Sequence, residues 1–218
     1  MVAVLLACLV AFLCGSIPFG YILVKKKTGK DIRDFGSGNI GSTNVARVLG
    51  GKWGYVVLFF DILKGVAGIG LAILILENGS SFSTPASLLE DTLTDLIPFF
   101  AVAGHCFSPW LGWKGGKGVA TMFGITIAVL GWWFLVPLFV YLLVSKGFRA
   151  VSIGSLLASL SLPFIAAFSQ GTQATIPSWG FAQDQLSLPM FLPITILVWW
   201  QHRKNIQRLV QGKERRIS

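Results

Sequence analysis

The chain has 218 residues, of which 54% are hydrophobic and only 12% are charged, and its formal net charge is +9. Soluble domains carry roughly 25% charged residues, so this composition excludes an ordinary soluble protein. An outer-membrane barrel would need alternating segments of ~10 residues, which the chain lacks. The three cysteines show neither metal nor disulfide spacing, and we expect Cys8, Cys14 and Cys106 to be buried thiols.

Apolar segments make up most of the chain. A membrane-spanning helix needs ~20 apolar residues. The stretches at or near that length are 1–24, 53–76, 96–111, 119–144, 151–169 and 188–200. The first has no basic region before it and is followed by three lysines, so we expect it to be retained and not cleaved as a signal peptide. The sequence predicts an all-α, polytopic membrane bundle forming one domain over 1–218.

Charge is distributed unevenly between the connecting segments. The loops 77–95 and 170–185 contain acidic residues but no Lys or Arg. The positive-inside rule therefore places the N-terminus outside and the C-terminus in the cytoplasm. Six simple crossings would put the basic C-terminal segment outside. A reversal of 119–144 near Gly131 corrects this and predicts about seven transmembrane helices, two of them short because each arm covers only ~20 Å. Five spans with a membrane-dipping hairpin are the alternative.

Three polar segments interrupt the apolar chain, at 36–47, 104–118 and 202–214. Each adjoins the end of an apolar segment and combines glycines, hydroxyl or amide donors and cations. Glycines let backbone N–H groups converge on an oxyanion, and Arg and Lys supply charge-assisted hydrogen bonds. The three segments therefore predict phosphate binding at a membrane surface.

The first polar segment matches G-x-G-x-x-G at 36–41. A dinucleotide-binding interpretation needs a preceding strand, whereas here an apolar helix and a lysine run come first. We favour an anion site with side-chain donors and the fork of Arg47. An ordinary polar loop with helix-capping residues is the alternative.

The second polar segment contains KGGKG at 114–118, which resembles part of a P-loop. It lacks the first glycine and the Ser or Thr that holds magnesium, so an NTPase is not predicted. Two lysines before a helix start at Val119 still suit a phosphate, although they also suit the positive-inside rule alone. His105 is a further candidate, with a structural role as the alternative. The acyltransferase motif H-x-x-x-x-D is absent because Trp110 replaces the aspartate.

Polar side chains at helical spacing mark three more places. His202, Asn205 and Arg208 share one face of the third polar segment, for which a basic helix on anionic lipid is the alternative. Asp61 and Lys64 lie three residues apart in an apolar span, where charges are usually functional. A third set at the start of a helix is a possible anion contact: Arg149, Ser152 and Ser155.

Together these motifs resemble those of the bacterial acyl-phosphate:glycerol-3-phosphate acyltransferases, an integral membrane family. The resemblance is carried by GSIPFG at 15–20, SGNIGSTN at 37–44, GH at 104–105 with KGGKGVAT at 114–121, and HRKNI at 202–206. It covers nearly the whole chain. It implies acyl transfer from acyl phosphate to the 1-hydroxyl of sn-glycerol 3-phosphate, giving lysophosphatidate and phosphate, the first step of phospholipid biosynthesis.

On this resemblance we assign two substrate sites at the cytoplasmic face of the bacterial inner membrane. The acyl-phosphate site comprises Gly36, Ser37, Gly38, Asn39, Gly41, Ser42, Thr43, Asn44, Arg47 and Lys117. The glycerol 3-phosphate site comprises Lys114, His105, Arg149, Ser152, Ser155, His202, Asn205 and Glu214. Catalytic roles fall to Ser37, Lys117, His202 and Asn205. The division between the two phosphates stays open, as does the oligomeric state. We expect no metal, no cofactor and no nucleic acid partner.

The chemistry needs no Ser-His-Asp triad, because the nucleophile is the hydroxyl of the substrate. Positioning and charge stabilisation supply the rate, and the base is His202, His105 or the substrate phosphate. A transporter for an organic anion is the rival function. It requires polar residues along a path to the outer face, where the spans are mostly Leu, Ile, Val and Phe. A membrane anchor would not need the glycine-rich segments.

Overall fold

The computed structural model describes residues 1–79, 88–172 and 188–215. Part of the first acidic loop and most of the second, on which the orientation prediction rests, lie outside these residues. The described α-helices are α1 Val2–Ser16, α2 Phe19–Thr28, α3 Ser42–Leu49, α4 Gly51–Gly79, α5 Leu88–Asp95, α6 Ile97–Cys106, α7 Val119–Leu130, α8 Leu135–Gly147, α9 Val151–Thr172, α10 Leu188–Gln201 and α11 Arg203–Val210. No strand occurs in the described ranges, which confirms the all-α class.

Four helical segments are long and apolar enough to cross a membrane: Val2–Thr28, Gly51–Asn78, Val119–Gly147 and Val151–Phe168. Two shorter apolar helical segments accompany them, Ile97–Leu111 and Met190–Gln201. All six coincide with apolar segments predicted from the sequence. A multi-pass membrane bundle follows from their length and composition.

The third of these segments reverses direction at Gly131. This glycine has φ 51° and ψ −130°, and a 3-10 turn over Gly131–Phe134 separates α7 from α8. The ring centroids of Phe123 and Tyr141, on opposite sides of the turn, lie 5.6 Å apart. A straight helix would separate these residues by about 27 Å. The predicted reversal near Gly131 is therefore confirmed, whereas the count of seven crossings stays a prediction.

The first segment breaks between α1 and α2 because Pro18 has no N–H to continue the helix. Ile17 is extended, at φ −61° and ψ 117°, and its carbonyl accepts a hydrogen bond from Nζ of Lys64 at 2.8 Å. The same ammonium lies 2.7 Å from Oδ1 of Asp61 and 2.8 Å from Nδ1 of His105. The predicted Asp61–Lys64 pair thus forms, and it joins the helix break to α4 and α6.

Two glycines let α4 and α7 touch backbone to backbone. A Cβ at Gly124 would lie 2.0 Å from the carbonyl oxygen of Ile62, and a Cβ at Gly65 would lie 2.4 Å from that of Thr121. Small residues at such crossings allow membrane helices to approach closely. The crossing places the N-terminal end of α7 beside the middle of α4, where the site is built.

Candidate active site

The three polar segments converge on one cavity of about 330 Å³. Most of the residues predicted for the site line it: Ser37, Asn39, Gly41, Ser42, Thr43, Asn44, Arg47, His105, Lys117, Ser152, Ser155, His202, Asn205 and Glu214. Lys114, Arg149, Gly36 and Gly38 are not among its lining residues. Segments separated by more than 150 residues thus form one site.

Asn44 organises the loop of the first polar segment. Its Oδ1 accepts a hydrogen bond from the backbone N–H of Ser37 at 2.9 Å, while Nδ2 donates to the carbonyls of Phe35 and Asn39 at 3.0 and 2.9 Å. Both amide hydrogens are therefore used inside the loop. In this structure Asn44 therefore organises the loop, and its predicted contact with acyl phosphate stays a prediction.

Gly36 and Gly38 shape this loop without lining the cavity. Both have positive φ, 57° and 70°, and a Cβ on Gly36 would lie 2.2 Å from Oδ1 of Asn44. Only glycine fits at position 36. The two glycines, predicted as phosphate ligands, act in the structure by letting the chain turn around Asn44.

The start of α3 presents the remaining groups of the first segment. Gly41 is the N-cap residue, and its N–H is held by Oδ1 of Asn39 at 2.8 Å. Thr43 and Arg47 follow one turn apart on the same helix face. Burial and the neighbouring cations Arg215 and Arg208 lower the pKa of Arg47, but an arginine stays charged at neutral pH.

The glycines of the second polar segment tie its loop to the end of α6. The N–H of Gly115 donates to the carbonyl of Cys106 at 3.0 Å, and that of Gly116 donates to the carbonyl of His105 at 2.9 Å. These two N–H groups are therefore not free to cradle a phosphate. The turn directs Lys117 into the cavity and leaves Lys114 exposed, so the structure does not bring Lys114 to the site.

The N-terminal end of α7 faces the cavity through Gly118, Val119 and Ala120. Backbone N–H groups in the first turn of a helix have no partner within the helix, and they favour an anion. Lys117 immediately precedes this turn. The helix end and the lysine together form an electropositive wall.

Hydrogen bonds join the third polar segment to this wall. Nζ of Lys117 donates to Oδ1 of Asn205, and Nδ2 of Asn205 donates to Oε1 of Glu214. The same carboxylate accepts from Oγ of Ser152 at 2.8 Å and from Nε of Arg208 at 2.9 Å. Burial opposes ionisation of Glu214, but these three hydrogen bonds outweigh it and lower the pKa of the carboxyl group.

The two predicted serines of α9 line the cavity with their hydroxyl hydrogens already used. Ser152 donates to Glu214, and Ser155 donates to the carbonyl of Val151 at 2.8 Å. Arg149, predicted to accompany them, is exposed at the connection between α8 and α9, with φ 52°. It is not brought to the cavity, because the helix that carries the serines begins only at Val151.

The two histidines of the cavity differ in tautomer. Nδ1 of His202 lies 2.8 Å from the carbonyl of Val198, to which it can only donate, so Nε2 carries the lone pair. Burial, followed by the charge of Lys117, lowers the pKa of His202 to about 4, and the ring is neutral at pH 7. By contrast, Nδ1 of His105 accepts from the ammonium of Lys64, which leaves its proton on Nε2.

Four cations line the cavity: Arg47, Lys117, Arg208 and Arg215. Arg208 and Arg215 were absent from the predicted site. Arg208 shares a helix face with His202 and Asn205, and this spacing is the signal in the sequence that points to it. Arg215 donates to the carbonyl of Gly36 at 2.9 Å, a contact across 179 positions that no pattern in the sequence predicts.

An apolar arm extends the cavity between three membrane helices. Its side chains come from α4, α7, the turn at Gly131 and α8: Leu58, Ile62, Phe123, Ile127, Phe134, Leu138, Tyr141 and Leu142. The sequence did not distinguish these from lipid-facing residues. A cationic end that continues into an apolar arm is suited to a molecule with a phosphate group and a hydrocarbon chain.

The sequence model of glycerol-3-phosphate acyltransferases matches residues 5–212. The chain belongs to the glycerol-3-phosphate acyltransferase family. A glycerol-3-phosphate acyltransferase of Leptospira borgpetersenii is 40% identical, over 94% of this chain and 87% of the relative. One from Zymomonas mobilis is 36% identical, over 100% and 97%.

Among solved structures, the chain is similar to PlsY (YgiH), an integral membrane glycerol 3-phosphate acyltransferase. Its glycerol 3-phosphate form matches with a TM-score of 0.78 and 34% identity, over 99% of this chain and 96% of that one. The lysophosphatidic acid form matches with a TM-score of 0.75 and 32% identity, over 99% and 95%. The resemblance inferred from the motifs is confirmed, and this acyltransferase is a membrane enzyme of phospholipid biosynthesis.

Proposed function

We propose that this acyltransferase moves an acyl group from acyl phosphate to the 1-hydroxyl of sn-glycerol 3-phosphate, releasing lysophosphatidate and inorganic phosphate. The observation that carries the proposal is the amphipathic cavity, where four cations meet an apolar arm. The arm suits the acyl chain, and the cationic end suits two phosphates. The forms in which PlsY was solved, with glycerol 3-phosphate and with lysophosphatidic acid, support the acceptor and the product.

In this reaction the oxygen of the 1-hydroxyl bonds to the acyl carbon, and the bond between that carbon and the phosphate oxygen breaks. Phosphate leaves, and the hydroxyl proton passes to a base. No covalent enzyme intermediate is needed. Holding both substrates in line and stabilising the developing negative charge supply the rate. We assign the stabilisation of that charge to Lys117 and the N-terminal end of α7.

His202 is better suited than His105 to meet the hydroxyl. His202 lines the cavity, and its Nε2 keeps the lone pair because Nδ1 donates to Val198, whereas the lone pair of His105 lies on Nδ1 and is engaged by Lys64. A pKa of about 4 makes His202 a weak base. We therefore assign it the task of orienting the 1-hydroxyl by accepting its hydrogen bond. A phosphate oxygen of the substrate then helps His202 to take up the hydroxyl proton. We assign the acyl phosphate to Ser37, Thr43, Arg47 and Lys117, and the glycerol 3-phosphate to the His202–Asn205 side with Arg208.

The donor is tested with purified protein and radiolabelled glycerol 3-phosphate. We expect labelled lysophosphatidate with acyl phosphate and none with acyl-CoA, because the sequence carries neither a complete P-loop nor a strand pattern before its G-x-G-x-x-G motif. Activity should survive a chelator. Comparable turnover with acyl-CoA under matched conditions would refute the donor assignment. Uptake of label into vesicles without any product would favour the transporter.

We also propose that the enzyme lies in the bacterial inner membrane, with seven helices and its cavity facing the cytoplasm. The support is the positive-inside rule together with the reversal at Gly131. In a variant without native cysteines, cysteines at Lys27, Lys146 and Lys213 should be protected from an impermeant thiol reagent in intact cells. A cysteine at Asn78 should be labelled. Labelling of position 146 from outside would rule out the seven-helix arrangement.

A further inference from the structure

Building on the proposed function, we infer that Glu214 is a positioning residue, which fixes the side-chain amide of Asn205 so that its oxygen holds Lys117 in the cavity. The sequence assigned Glu214 to glycerol 3-phosphate itself. The structure gives it a different task, because its partners are protein groups and its effect reaches the substrates through two other side chains.

The geometry of an amide carries this inference. Asn205 has a donor end and an acceptor end, and they face opposite partners: Nδ2 faces Glu214, and Oδ1 faces the ammonium of Lys117. If the amide rotated by half a turn, its NH2 group would point at an ammonium that can only donate. A carboxylate next to Nδ2 prevents that rotation. Lys117 and Glu214 therefore hold Asn205 in the same orientation, and loss of the carboxylate leaves the amide with only one of these two partners.

The carboxylate is itself held from two helices. Oε1 accepts from Ser152 of α9 in addition to Asn205, and Oε2 accepts from Arg208 of α11. The chain returns to this point through Gly212, with φ 67°, after which the N–H of Lys213 donates to the carbonyl of Arg208 at 2.8 Å. Three donors already engage both oxygens of Glu214, and its negative charge repels a phosphate.

The charges around Lys117 give the inference a measurable consequence. Arg47 of α3, Arg208 of α11, Glu214 of the tail and His202 at the start of α11 surround this lysine. The pKa of Lys117 is lowered to about 8: burial lowers it most, Arg208 and Arg47 also lower it, and Glu214 opposes them by raising it. His202 is neutral at pH 7. Loss of the Glu214 carboxylate removes the negative charge that favours the protonated form of Lys117, so the pKa of Lys117 must fall.

The test compares Glu214→Gln and Glu214→Asp with the parent enzyme and Asp34→Asn, which removes an exposed carboxylate at the same membrane face. The parent kcat/KM should decline as pH rises through about 8, since Lys117 loses its charge. In Glu214→Gln that decline should move about one pH unit lower, which corresponds to roughly a fivefold loss of kcat/KM at pH 8. Glu214→Asp keeps the charge but loses reach, so activity should fall while the decline stays near pH 8.

A second measurement follows the protonation of Lys117 without relying on turnover. The pH dependence of its acetylation by acetic anhydride, followed by mass spectrometry, should show the same downward shift in Glu214→Gln and none in Asp34→Asn. Loss of activity with an unshifted midpoint would mean that Glu214 is merely structural. Parent-like activity of Glu214→Asp would overturn the inference even if Glu214→Gln does not fold. Failure of acyl transfer in the parent, with the shift intact, would contradict only the proposed function.

Discussion

Replacing Lys117 with alanine should reduce kcat/KM by roughly 30-fold or more in protein that still folds and inserts. Removing one partner of a desolvated ion pair costs about 2–5 kcal/mol, largely because the other charge is left unpaired, and each ~1.4 kcal/mol changes a rate tenfold. Lys117 is half-buried and linked to Asn205, so water can replace the lost charge only in part. Steady-state kinetics with acyl phosphate and glycerol 3-phosphate measure the loss.

Lys26→Ala is the matched control. Lys26 is an exposed lysine in the last turn of α2, a position typical of a charge that only sets orientation. Its kcat/KM should remain within about twofold of the parent value. If Lys117→Ala behaves like Lys26→Ala, the second polar segment is an orienting loop and does not bind phosphate.

Gly124→Ala should destabilise the protein by about 1–3 kcal/mol and also lower its activity. The added Cβ would lie 2.0 Å from the carbonyl oxygen of Ile62, and backbone cannot move aside as a flexible side chain can. Overpacking of this kind forces backbone shifts that cost about that much. α7 must then move away from α4, and its N-terminal end carries the electropositive wall. Thermal unfolding in detergent and acyl transfer measure the two effects.

Gly70→Ala tests whether the contact, and not the loss of a glycine, is responsible. Gly70 also lies in a membrane helix, α4, but a Cβ there would meet nothing within 4 Å. Alanine is a better helix former than glycine, so this variant should be as stable as the parent or slightly more stable. Equal stability of the two variants would contradict the proposed glycine crossing.

Much of the fold could be predicted because membrane helices follow from local properties. The lengths of the apolar segments located the spans. The requirement that all basic segments lie on the same side of the membrane located the reversal at Gly131. The polar segments stood out because charge and glycine are rare in an apolar chain. These signals depend on neighbouring residues and on a simple rule about charge, so one sequence is enough to reveal them.

The details of the site depended on contacts between distant residues. In the sequence, the side chains of Asn44 and Ser37 are both candidate hydrogen-bond donors to a phosphate. Only the fold shows that the amide of Asn44 donates to carbonyls of its own loop. Lys114 and Lys117 differ only in the side of a glycine turn on which they lie. That turn is set by hydrogen bonds to the end of α6. The apolar arm escaped prediction because a cavity-facing leucine and a lipid-facing leucine look alike in a sequence.

The contact between Ile17 and Lys64 has a consequence for how the protein is made. A nascent chain that has inserted only its first apolar segment keeps the hydrogen bond from the N–H of Phe19 to the carbonyl of Ile17, but it lacks the ammonium of Lys64, which is synthesised later. A polar backbone group that lacks one of its partners is less well satisfied in hydrocarbon. We therefore expect the kinked first helix to reach its final position only once α4 has been inserted, so that the earliest part of the chain to enter the bilayer is among the last to settle.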